Sequence, residues 1–234
     1  MKKINTEEIR DFYEKMDNVW PVDDHWHLYS RLKIEEFVKR QHYFSTILNV
    51  GSGGSNYGLV NDLHHVDIVK NKIDKFETYT VASAEFLPFD SESFHHILCV
   101  GSVINYCDAH SVISELSRVS KPGASLALEF ESSWGYEHLG TKAYKKDAEM
   151  ASLSYNNENH NQWLYSSSYI SSILKSFSLE IVEYDYFHYL SGLHYNKYKD
   201  ENSAAKFTKY DWLCRRIPIV KYHSNNIIYK CVKK

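Results

Sequence analysis

Apolar and polar positions alternate in three distinct ways along the chain. From Thr6 to Met16, Ile9, Phe12, Tyr13 and Met16 recur at helical spacing, which predicts an amphipathic helix closed by Pro21. An aromatic, acidic stretch follows from Trp20 to Tyr29. A second helix is predicted from about Ser30 to His42, with Leu32, Ile34, Phe37 and Val38 on one face. From Ser45 the pattern becomes short apolar runs bounded by turn residues. Residues 45–50, 65–69, 79–82, 96–100 and 125–130 read as buried strands. Between the last two, Val112, Ile113, Leu116 and Val119 mark a helix, with Lys121-Pro122-Gly123 as its stop signal. This alternation predicts a parallel sheet with helices on both faces. Residues 133–165 are polar and aromatic, with an Asn-rich run over 156–161, and predict a loop plus a helix. A helix from Ser167 to Phe177, a strand from Ser178 to Phe187 and a last strand from Asn226 to Val232 complete the pattern. Between them 188–217 reads as an insertion, with a helix near Ala204 to Arg215 before Pro218.

Composition narrows the class without fixing a chemistry. Of 234 residues, 43% are hydrophobic and 24% charged, the balance of an ordinary globular protein. With 27 Lys+Arg against 30 Asp+Glu the net charge is -3, so no basic excess points to nucleic acid. Four scattered cysteines, Cys99, Cys107, Cys214 and Cys231, read as reduced thiols. The charged opening residues lack the apolar core of a signal peptide, and no window approaches the ~20 apolar residues of a membrane span. A cytoplasmic protein without integral membrane association is expected. The 19 Tyr, 13 His and 5 Trp suit either a selective pocket or a wet surface.

Val50-Gly51-Ser52-Gly53-Gly54-Ser55 follows the first strand of the sheet, where a glycine turn lets the backbone approach a ligand and aims N–H groups at it. A tight turn alone needs no ligand, but Asp67 ends the next strand, where a carboxylate can accept from a ribose diol. Asn56 stands where a dinucleotide-binding fingerprint has its third glycine, and no Gly-Lys-Ser/Thr follows the turn. Only sixteen residues separate Gly51 from Asp67, room for a short helix at best.

Taken in order, four segments resemble the class I S-adenosylmethionine-dependent methyltransferases over about residues 45–130. They are Ile47 to Ser55, His65-Val-Asp-Ile68, Ala84-Glu-Phe-Leu-Pro-Phe89 with Ser93-Phe94, and Arg118-Val-Ser-Lys-Pro-Gly-Ala124. The resemblance implies a Rossmann-like, doubly wound, mostly parallel sheet of seven strands. An N-terminal helical cap (1–44), a cofactor-binding core (45–132) and an acceptor-side region (133–234) would form one domain. S-adenosylmethionine is the implied cofactor. Gly51, Ser52 and Gly53 would cradle its methionine moiety, Asp67 its ribose, and Ile68, Ala84 and Glu85 its adenine, with Val100 and Gly101 closing the far side. Asn49 and Ser83 stand where the family commonly has acids, and Ser55 where it has a glycine. Either side chain retains hydrogen-bonding capacity for the cofactor. Tyr13, Trp20 and Tyr29 are candidate covers from the cap, with ordinary packing as the alternative.

Methyl transfer from a sulfonium chiefly requires alignment of an acceptor and exclusion of water, with a general base where a proton must leave. Candidate walls over the fourth and fifth strands are Ser102, Asn105 and Tyr106, then Glu131, Trp134, Tyr136, Glu137 and His138, with Trp163 and Tyr165 from later in the chain. His138 is the first choice of base and Glu131 the second, and Tyr106 and Tyr136 would orient an acceptor. Asp23-Asp24-His25-x-His27 is the one dense cluster of metal-ligand types and reads as a solvated turn, so no metal is expected. Lys206, Lys209, Arg215 and Arg216 could meet an anionic or glycan-linked acceptor, or form a solvated helix face. The expected function is transfer of a methyl group to an O or N atom of a small or medium-sized acceptor, by a monomer or homodimer. The alternative is a regulatory protein that binds S-adenosylmethionine without catalysis. No Asn-Pro-Pro-Tyr-type motif follows the fourth strand, which again disfavours a nucleic-acid substrate.

Overall fold

The computed structural model describes residues 4–20, 23–155, 158–217 and 219–234. Pro21, Pro218, Asn156 and Asn157, which carried sequence expectations, lie outside the described residues. Helix α1 spans Thr6–Glu14, with Asn5 as its N-cap. Helix α2 spans His25–Lys39 and starts five residues earlier than the apolar pattern predicts. The cause is Asp24, whose Oδ1 accepts from the backbone of Trp26 (3.1 Å) and His27 (3.0 Å) and so satisfies the first-turn donors. The aromatic, acidic stretch is therefore partly helical.

Strands β1 (Ile47–Val50), β2 (Leu63–Asp67), β3 (Tyr79–Val81), β4 (Phe94–Cys99) and β5 (Ser120–Glu131) pair in parallel in the order β3-β2-β1-β4-β5. A four-residue helix, α3 (Lys70–Ile73), separates β2 from β3, and α4 (Ala109–Val119) leads directly into β5. Lys121-Pro122-Gly123 therefore lies in the first residues of β5 rather than in a separate stop, with the register of β4 against β5 shifting beside it. Two further strands, β8 (Leu179–Phe187) and β9 (Asn226–Lys233), complete seven, with β9 antiparallel between β5 and β8.

One face of the sheet packs on α4 and on α5 (Ser167–Ser176). Leu48, Val50, Val66, Ile97, Leu126 and Leu128 meet Val112, Ile113, Leu116, Ile170 and Leu174 there. On the other face the β1-to-β2 connection is too short for a covering helix, as its length predicts. Helix α2 takes that place, burying Ile34, Phe37 and Val38 with Ile47, Leu98, Val100 and Ile228.

Residues 133–165 depart furthest from expectation. Among the described residues of this stretch, no helix forms beyond a 3-10 turn at Tyr136–His138. An antiparallel hairpin forms instead, from β6 (Ala148–Tyr155) and β7 (Glu158–Tyr165). Its end is tied to the main sheet by a bridge between Ser132 and Tyr165 and by Asn105, whose Nδ2 donates to the backbone oxygens of Trp163 (2.6 Å) and Glu131 (3.0 Å). The insertion is likewise more broken than predicted, with α6 (Leu190–Tyr198), α7 (Glu201–Ala205) and α8 (Asp211–Cys214) in place of one helix. Among the described residues no helix is long and apolar enough to cross a membrane.

Candidate functional site

The carboxyl ends of β1, β2 and β4 open onto a cavity of about 540 Å³. The glycine turn shapes its floor. Gly51 has φ +65°, and a Cβ built there would lie 2.3 Å from a Val103 methyl, so the backbone packs where no other residue fits. The amides of Gly51 and Ser52 donate to the Val66 carbonyl at 2.7 and 3.1 Å, which pins the turn to the end of β2. Asp67 is 8% exposed; its Oδ2 accepts from Gly53 N (2.8 Å) and its Oδ1 from Val69 N (2.9 Å). Burial raises its carboxyl above the usual range, and these backbone donors pull it partly back.

The loop after β3 supplies Ser83, Ala84 and Glu85 to the same cavity. It is held from behind by Arg118, whose Nη1 and Nη2 donate to the carbonyls of Phe89 (2.7 Å) and Leu87 (2.8 Å). Glu85 Oε1 accepts from Asp108 N (2.7 Å), coupling this loop to the start of α4. Ile68, Gly101, Tyr13 and Tyr106 complete the expected lining, and Ile9 shows that α1 roofs the cavity.

Three expected cofactor contacts fall elsewhere. Asn49 is fully buried, is not part of the cavity lining, and donates from Nδ2 to Ser55 O (2.8 Å), so it braces the turn. Ser52 is buried and Val100 belongs to the core packed on α2; neither lines the cavity. Tyr29 donates to Asp211 Oδ2 (3.1 Å) and is absent from the cavity lining too.

A second chamber of about 390 Å³ adjoins the first and shares Tyr13, Val19, Gly101 and Tyr106 with it. The rings of Tyr13 and Tyr106 meet edge to face, centroids 5.6 Å apart, at this junction. The chamber brings together all three predicted catalytic residues, Tyr106, Glu131 and His138, and also Ser102, Glu137 and Trp20. Glu131 Oε2 accepts from Gln162 Nε2 of β7 (2.5 Å), and burial raises its carboxyl. His138 is 3% exposed, its Nε2 has no hydrogen-bond partner, and burial pushes the imidazole down to about 4. Burial, reinforced by Glu131, raises Glu137 to about 8. Trp163 lines the first cavity rather than the second, while Trp134, Tyr136, Asn105 and Tyr165 line neither.

Sequence reasoning passed over several chamber residues. Glu129 sits inside the apolar run of β5, where a lone acid was the available signal. Its Oε2 accepts from the amides of Gly101 (2.9 Å) and Ser102 (2.6 Å), its Oε1 accepts from Asn226, and burial raises it to about 7. Trp26, His160, Tyr195, Lys199 and Glu201 come from α2, β7 and the insertion, and no spacing rule joins them. Asp24, His27 and Glu201 place ligand atoms within 4.8 Å of one another. Asp24 there holds His27 Nδ1 at 2.5 Å; burial alone would lower the imidazole, but this carboxylate keeps it above its ordinary value. Among the described residues, Lys206, Lys209, Arg215 and Arg216 line neither cavity, and Arg215 Nη1 pairs with Asp185 Oδ1 at 2.7 Å.

A family model described as a methyltransferase domain matches residues 48–128. Over 124 residues the chain is 27% identical to an uncharacterized protein of Methanocaldococcus jannaschii. The match spans 48% of this chain and about half (47%) of that relative. Among solved structures, the [4+2]-cyclase SpnF is similar with a TM-score of 0.62 at 12% identity, covering 100% of this chain and 97% of that one. A geranyl diphosphate C-methyltransferase from Streptomyces coelicolor A3(2), solved with Mg2+, geranyl diphosphate and S-adenosyl-L-homocysteine, gives 0.61 at 10% identity, with 100% of both chains covered. At these identities the structural likeness establishes a Rossmann-like methyltransferase fold.

Proposed function

We propose that this protein, whose residues 48–128 match a methyltransferase domain, is a class I S-adenosylmethionine-dependent enzyme that transfers a methyl group to an O or N atom of a small or medium-sized acceptor. The observation that supports this most is the pair of adjoining cavities. One carries the glycine turn and Asp67, the other carries Glu131 and His138, and Tyr13 and Tyr106 stand between them. When bound, S-adenosylmethionine supplies a methyl group already activated on a sulfonium. Gly51 and Gly53 would face its methionine part, Asp67 its ribose, and Ile68 with Ser83, Ala84 and Glu85 its base.

The chain's own residues then have three tasks. Helix α1 closes the cofactor cavity with Ile9 and Tyr13 and excludes water. His138, held neutral by burial, would line the acceptor's side of the site and help to orient it. A base held near 4 takes a proton poorly at neutral pH, so Glu131, raised by burial, is the better proton acceptor. The order of the two sequence-based candidates is thereby reversed. The free thiols Cys99, Cys214 and Cys231 are buried, which suits the reducing compartment proposed for the protein.

Titration with S-adenosylmethionine by calorimetry tests this reading, followed by measurement of S-adenosylhomocysteine release with cell extract as the source of acceptor. Asp67→Ala should weaken binding by about 1–3 kcal/mol, roughly 5- to 150-fold. Unchanged affinity would overturn the site. Tight binding with no turnover in any extract would favour the regulatory alternative.

A further inference from the structure

The second chamber is acidic and aromatic at once. Glu131, Glu137 and Glu201 line it with Glu129, and the cations among its lining are Lys199 and the Asp24-bound His27. Glu129 is satisfied by two amides and Asn226, so it anchors the β4 turn rather than awaiting a ligand. Aromatic residues line it as well, including Phe12, Trp20, Trp26 and Tyr195. A separate observation points to a missing occupant. His138, nine-tenths buried and more, lines this chamber, and its buried Nε2 has no hydrogen-bond partner.

We propose that the acceptor is an amine, bound as an ammonium ion among Glu131, Glu137 and Glu201 with its carbon skeleton against the aromatic walls. This rests on the methyltransferase reading and specifies its substrate class. Buried carboxylates in excess of cations repel an anion and gain from a cation, and ring faces attract the same charge. An ammonium also brings N–H donors for the carboxylates, which a carboxylate acceptor would not. The acceptor nitrogen gives one proton to Glu131, and its lone pair then forms the N–CH3 bond as the S–CH3 bond breaks with its electron pair staying on sulfur. The acceptor is a neutral amine at the moment of transfer, and the positive charge of the sulfonium passes to the methylated nitrogen, so the product is again an ammonium.

The test is equilibrium binding to protein saturated with S-adenosylhomocysteine, which separates it from turnover. Three probes of one shape are compared by calorimetry at pH 7.5: 2-phenylethylamine, 2-phenylethanol and phenylacetate. The amine should bind about tenfold or more tightly than the alcohol. Glu131→Gln and Glu201→Gln should each lower amine affinity roughly tenfold and leave the alcohol unchanged. Equal affinity for amine and alcohol, preference for phenylacetate, or no binding of 2-phenylethylamine, ethylamine or putrescine at millimolar concentration would overturn the proposal. The methyltransferase reading would survive any of these, since it is tested separately by cofactor binding, by Asp67→Ala and by turnover with extract.

Discussion

At Gly51, two independent constraints fall on one residue. Its φ of +65° lies in the left-handed region, and an added Cβ would meet both Val103 methyls at 2.3 and 2.5 Å. Gly51→Ala should therefore combine a backbone cost of about 1–2 kcal/mol with an overpacking cost of about 1–3 kcal/mol. Both thermal stability and S-adenosylmethionine affinity should fall. Adding Val103→Ala removes the steric part only, so the double variant should recover part of the melting temperature and not all of it. Full recovery would show that the left-handed backbone carries no strain. Gly51 was legible in the sequence because glycines directly after a strand, with an acid at the end of the next strand, leave a readable signature. Asn49 was not, for a physical reason. Neighbouring strand residues point to opposite faces, and the letters do not say which face holds the cavity. Glu129 was legible in part, as an acid inside Leu126-Ala-Leu-Glu-Phe130, but its partners Gly101, Ser102 and Asn226 come from other elements.

Among the elements, β1, β4 and β9 were foreseen because strands buried on both faces read as apolar runs. The β6–β7 hairpin was missed because polar residues dominate it and its order derives from the rest of the fold. Asn105 is a principal tie. It is fully buried and makes three hydrogen bonds: two donated to Trp163 O and Glu131 O, and one accepted from Glu131 N at 2.9 Å. Sequence order suggested it as an acceptor-pocket wall, whereas it holds β7 against the end of β5 and so places Gln162 on the Glu131 carboxylate. Asn105→Ala should destabilise the fold by about 2–4 kcal/mol, since buried carbonyls and an amide lose their partner. Hydrogen exchange should rise in β7 more than in β1. Uniform loosening across the sheet would contradict a local tie.

For the whole molecule, acids and imidazoles buried around the chamber make stability depend on pH in opposite senses. Glu137 is raised from 4.5 to about 8, so the folded state holds its proton more tightly than the unfolded chain. That contribution is complete below pH 4.5 and is lost as pH rises through 8. Glu129, raised to about 7, acts in the same direction over 4.5 to 7. His138, pushed down from 6.5 to about 4, contributes above pH 6.5 and loses that contribution as pH falls through 4. The two effects oppose each other between pH 4.5 and 6.5, and from 6.5 to 8 only the acids titrate among these three. Glu137→Gln isolates the acid, because the amide oxygen still accepts from Asn225 Nδ2 and carries no charge. The variant should melt within about 1 °C of wild type at pH 5, and about 3 °C or more above it at pH 8. A saturating amine should shrink that gap by supplying the cation that the ionised carboxylate otherwise lacks. A gap that is constant with pH would mean that Glu137 is already solvated, and the chamber would then lose its reason to select a charged ligand.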